Sequence, residues 1–165
     1  MKSVLISIQP KWCELIASGK KTVEVRKTKP KIETPFKCYI YCTQGKLKDL
    51  GVIGQTMYEK RMKVIGEFVC DKIVEFENDC YDLAFDETAD LSCVGIKGLY
   101  DYLGSNDKGY GWHISDLVIY DTPRALCEFG SYNCGVYFEN GYPMPTHEIK
   151  RPPQSWCYVE DPDND

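Results

Sequence analysis

Histidine is almost missing from these 165 residues. Only His113 and His147 occur, and no two cysteines form a close Cys-x-x-Cys pair. That excludes a zinc centre built from ligands adjacent in sequence. Cys38 and Cys42 lie in a segment that reads as a strand, where a four-residue offset separates them by roughly 13 Å. One ion cannot bridge that gap at roughly 2.3 Å per bond. Neither a metal nor a cofactor is expected. Long apolar runs are missing too: none approaches the roughly 18 residues needed to span a bilayer. Residues 1–20 lack the basic start and continuous apolar core of an export signal. The expected location is the cytoplasm, with no membrane partner. Nine cysteines, an odd number in a chain without that signal, then read as reduced thiols buried like small apolar side chains. No repeat and no internal boundary is visible. A single domain over 1–160 is expected, followed by an acidic, disordered tail over 161–165. Nothing in the chain specifies an oligomeric state.

A general excess of positive charge is also absent, since the formal net charge is −5. The sum hides a polarity. Residues 1–63 hold 14 Lys and Arg against 5 Asp and Glu, and residues 64–165 hold 6 against 20. Lys20, Lys21, Arg26, Lys27, Lys29, Lys31 and Lys37 crowd one stretch, which predicts a basic face for phosphate and an acidic remainder.

Periodicity gives mainly strands: 3–8, 22–27, 37–43, 64–76, 110–120 and a short one at 156–159. Residues 10–18 read as a helix that buries Trp12, Leu15 and Ile16, with Pro10 in its first turn and Gly19 as its stop. A second helix is expected over 91–103, and 123–129 should form one further turn. The stretch 44–63 fits neither period and reads as a flap over a site or a partly ordered insertion. Residues 78–90 read as acidic and irregular. Strands outnumbering helices suit an α+β fold built on a mixed-sheet barrel.

The informative motif is Gly19-x-Lys21-x-x-Glu24-x-Arg26. After the helix stop, Val23 and Val25 alternate with Glu24 and Arg26. The two charged residues thus share one strand face, roughly 7 Å apart. As an exposed ion ladder this face would carry little stability, so loss of Lys21 would barely affect folding. The spacing resembles the signature of the ASCH domain, a member of the PUA-like superfamily. Tyr110-Gly-Trp-His-Ile-Ser115 and Arg151-Pro-Pro-Gln-Ser-Trp156 resemble segments of stand-alone bacterial and phage ASCH proteins. The resemblance implies a PUA-like mixed-sheet β-barrel with a few peripheral helices. It also implies a cleft beside the first helix that binds RNA or a modified nucleotide.

The residue types for such binding are present. Lys20, Lys21 and Arg26 suit phosphate. Tyr110 or Trp112 would stack a base, and Gln9, Glu24 or Ser115 would read its edge. The resemblance also implies an enzymatic alternative, an amidohydrolase on acetylated cytidine or a ribonuclease, with Lys21 and Glu24 catalytic. The family's amidohydrolase pattern pairs the lysine with a threonine where this chain has Glu24, and with a distant glutamate for which Glu67, Glu75 and Glu77 are all candidates. A third class is an interaction protein whose acidic surface mimics nucleic acid.

Overall fold

Apolar side chains on both faces of the strands 2–8 and 36–42 place them in the middle of a sheet rather than at its edge. The computed structural model describes residues 1–131, 139–140 and 147–163 and bears this out. Strand β1 (Lys2–Ile8) runs parallel to β3 (Phe36–Cys42), with Val4 opposite Cys38 and Ile8 opposite Cys42. A parallel pair needs a crossover. Helix α1 (Pro10–Ala17) and β2 (Val23–Arg26) lie between the two in the chain. Strands β4 (Lys63–Cys70), β7 (Ser115–Arg124) and β8 (Trp156–Glu160) complete a five-stranded sheet in the order β7-β4-β3-β1-β8. Strands β2, β6 (Lys108–His113) and β5 (Ile73–Glu77) form a second sheet in the order β2-β6-β5.

Three apolar layers follow from the two-residue alternation. Val4, Ile6, Cys38 and Ile40 face the second sheet and pack with Trp112 of β6 and with α1. Leu5, Tyr39, Tyr41 and Val64 face the other way, onto Phe129 and Val159. On the far side of the second sheet, Val25 and Phe76 pack against α3 (Leu83–Leu91) and α4 (Gly95–Leu103).

The α+β class and the predominance of strands stand. The strands form two open sheets, and no closed barrel is found among the described residues. Each of the two long strands expected from the sequence is a pair. A turn at Asp71 and Lys72 divides β4 from β5, and Ile114 divides β6 from β7. The acidic stretch expected to be irregular contains α3, because Asp82 caps it by accepting from the Ala84 N–H at 3.0 Å. The single helix expected over 91–103 breaks at 92–94, where Cys93 takes a left-handed conformation. Helix α1 buries Pro10, Cys13 and Ile16, while Trp12 and Leu15 are half-buried, a rotation of the expected apolar stripe.

Residues 44–63 form a fixed strap, with a 3-10 turn (Leu47–Val52) and helix α2 (Gln55–Glu59). Met57 anchors it in the core and Gly45 lies against the Pro10 ring. The tail is corrected in part: Asp161 is buried and ion-paired, Asp163 binds Arg124, and residues 164–165 lie outside the described set. Among the described residues no helix is long and apolar enough to cross a membrane.

Candidate nucleotide-binding cleft

Gly19 turns the chain out of α1 with a positive φ of 77°, which a side chain would strain. The motif that follows is then stitched to the α3–α4 turn. The Thr22 N–H donates to the Leu91 carbonyl, and the Cys93 thiol to the Lys20 carbonyl. That turn leaves the Ser92 carbonyl, at the end of α3, without a helical partner, and the Lys21 ammonium fills the role at 2.7 Å. The interrupted helix is thus what seats Lys21.

Strand β2 alternates as its sequence predicts, but its polar face does not meet solvent. Glu24 lies opposite Trp112 and Arg26 opposite Tyr110, so both point into the space between the sheets. Lys21, Glu24 and Arg26 are 2%, 6% and 7% exposed. Glu24 holds both cations: Lys21 Nζ is 3.2 Å from Oε2 and Arg26 Nη2 is 3.0 Å from Oε1. Arg26 also donates to the Ser7 carbonyl at 2.7 Å and to Ser155 Oγ at 3.3 Å, tying β2 to β1 and to the segment before β8. The expected exposed ladder is a buried three-charge cluster. Loss of Lys21 should therefore cost about 3–5 kcal/mol rather than almost nothing, because it strands a buried carboxylate. One atom remains unmatched among the described residues, Arg26 Nε, while Glu24 Oε2 is met by the Lys21 ammonium.

This cluster floors two adjoining cavities of about 690 and 560 Å³, which share Trp12, Glu24, Val25 and Tyr102. The Lys21 ammonium lies 5.1 Å from the centre of the Trp12 ring, within cation–π range. Across the cleft Tyr102 projects from α4, and Lys27 sits over its ring at 5.2 Å. Burial raises the Tyr102 hydroxyl above the ordinary tyrosine value, so it is a donor at neutral pH.

Of the residues singled out from sequence, Gln9, Lys21, Glu24 and Arg26 meet in this cleft. The others do not. Trp112 is fully buried between Phe36 and Trp156, with ring centres at 5.8 and 5.9 Å, so it cannot stack a base. Tyr110 packs against the same core and lies under Lys29. Ser115 donates to the Val69 carbonyl within the first sheet. Lys20 is exposed beyond the helix stop. His113 pairs with Asp71 at 2.6 Å away from the cleft and holds that carboxyl below its usual range.

The single basic face also needs correction. Arg26 is buried, and Lys37 is paired with Glu67 and Asp161 of the second half. The lysines at the cleft are instead Lys11, Lys21, Lys27, Lys46 and Lys48. Trp12, Tyr102, Ser92 and Ser155 were missed as site residues. Trp12 carried the one available signal, a large aromatic in the helix just before the motif.

The family model of the ASCH domain matches residues 6–79, a span that holds Lys21, Glu24 and Arg26 but not Ser92, Tyr102 or Ser155. No curated protein matches the chain in sequence. Three crystal structures of ASCH protein from Zymomonas mobilis share the fold. A tyrosine-to-phenylalanine mutant superimposes with a TM-score of 0.65 at 19% identity, covering 98% of this chain and 93% of that one. A serine-to-alanine mutant gives 0.65 and 19%, over 97% and 89%. The form without a stated substitution gives 0.59 and 18%, over 96% and 87%.

Proposed function

Starting from the ASCH domain over residues 6–79, we propose that this chain binds RNA or a modified nucleotide in the cleft between α1 and α4. One observation carries the reading: a buried Lys21–Glu24–Arg26 cluster floors a cleft walled by Trp12 and Tyr102. Aromatic walls accept the face of an unpaired base, and fixed donors and acceptors read its edge. Labelled single-stranded RNA should bind with an affinity that falls steeply between 50 and 200 mM salt, as phosphate neutralisation releases counterions. Trp12→Ala should weaken that binding by about ten- to a hundredfold, the worth of one stacking platform. Equal affinity in Trp12→Ala and wild type would exclude the cleft as the site.

The Lys21–Glu24 pair on the cleft floor favours one second reading, hydrolysis. In that reading the Glu24 carboxylate would serve as general base, and the Lys21 ammonium 3.2 Å from it would stabilise the developing oxyanion. Acetate release from acetylated cytidine, abolished in Glu24→Gln, would establish it. No release by the wild type would leave the binding role alone.

A further inference from the structure

The two halves of the cleft differ in chemistry. The larger is lined mainly by uncharged groups, Gln9, Thr28, Thr43, Gln154 and Ser155, around the self-neutralising Glu24–Arg26 pair, with one lysine, Lys27, over the Tyr102 ring. The smaller is lined by four lysines, Lys11, Lys21, Lys46 and Lys48, against the carboxylates of Glu24 and Asp101. Both of those carboxylates are already occupied, Glu24 by the buried cations and Asp101 by Lys97 at 2.6 Å. Lys11 is held by Asp49 at 3.4 Å. Lys46 and Lys48 have no ion-pair partner among the described residues, and both are exposed at the mouth.

Their placement is built rather than casual. They sit on the strap that Gly45 seats on Pro10, that Asp49 ties to α1 and that Met57 anchors in the core. The Asp49 N–H closes the turn onto the Lys46 carbonyl. A ligand in the cleft thus meets mainly hydrogen-bonding groups at one end and the denser positive charge at the other, with Trp12 and Tyr102 common to both.

Resting on the binding reading above, we propose that the lysine half is a phosphate subsite. The ligand class is then a phosphorylated nucleotide, free or within RNA, with its base in the larger half, where charge is sparser, and not a bare nucleoside. Flexible ammonium groups on two nearby residues suit a phosphate as point charges, without the fixed fork of an arginine. The base end would supply selectivity and the phosphate end most of the salt-sensitive affinity.

Calorimetric titration with the four ribonucleosides and their 5′-monophosphates tests this on the intact chain. At least one monophosphate should bind wild type tenfold or more tighter than its nucleoside, with a gap that narrows as salt rises. In the Lys46→Ala/Lys48→Ala double variant the ratio should collapse towards one. In Lys46→Arg/Lys48→Arg, which keeps the charge, it should persist. Equal binding of nucleoside and monophosphate by the wild type would overturn the phosphate subsite while leaving the base site standing. A preference surviving in the double alanine variant would overturn it too. If neither compound binds and single-stranded RNA also fails to bind, the binding reading itself falls, and the subsite with it.

Discussion

Two clusters of charge lie on opposite faces of β3, one buried and one half-buried, and they are finished differently. On one face, Tyr39 donates to Asp161 at 2.5 Å. Lys37 lies 3.4 Å from Asp161 and 3.6 Å from Glu67, and Tyr120 donates to Glu67. No side-chain atom of that group is buried without a partner among the described residues. On the other face, the Lys21–Glu24–Arg26 cluster leaves the Arg26 Nε–H unmatched among the described residues and forms the floor of a cleft. A buried polar network that serves only the fold tends to be fully satisfied, since each orphan costs free energy. The closed cluster clamps the chain's last strand to β3 and β4. The open one forms the floor of the cleft proposed to hold the ligand.

The sharpest way to break this contrast is to disrupt each cluster separately. Glu24→Ala leaves two buried cations without their carboxylate and should cost about 3–5 kcal/mol in chemical denaturation, together with RNA affinity. A loss below about 1 kcal/mol would show that the cluster is solvated after all. Tyr39→Phe should cost less, about 1.5–3 kcal/mol for one hydrogen bond to a buried carboxylate, with RNA affinity intact. An affinity change in Tyr39→Phe would erase the distinction between the two faces.

A pH titration sharpens the closed cluster further. Burial alone would raise the Asp161 carboxyl, but the Tyr39 hydroxyl, the Asp163 N–H and Lys37 outweigh it and hold the carboxyl below the usual range. A group depressed in the folded state contributes stability above its unfolded value, about pH 4, and loses it as pH falls through the lower folded value. The wild type should therefore lose stability on acidification through that window, and Tyr39→Phe should show a shallower loss. The smallest effect is expected from Lys97→Ala at the exposed Lys97–Asp101 pair, which should change neither stability nor affinity measurably.

Much of this contrast was legible in the sequence, and the rest fails for identifiable reasons. The helix stop at Gly19, the alternation of β2 and the grouping of Lys21, Glu24 and Arg26 are local, so periodicity finds them. What a strand's polar face looks upon is not local. Only the pairing of β2 with β6, more than eighty residues on, turns Glu24 and Arg26 between the sheets. Trp112 was misread as a stacking platform for the same reason. Ser92 as the acceptor for Lys21, Tyr102 as a wall and Asp161 as a clamp all depend on contacts across many tens of residues.

The chain's three tryptophans offer the most direct test of where a ligand sits. Trp12 walls the cleft, Trp112 is sealed in the core, and Trp156 donates its indole N–H to Thr28 at the cleft's far edge. Each gives one indole signal in a proton–nitrogen correlation spectrum. Titration with single-stranded RNA should move the Trp12 signal most and Trp156 less, and leave Trp112 in place. A saturable RNA complex in which the Trp12 indole stays still would contradict the cleft as the binding site.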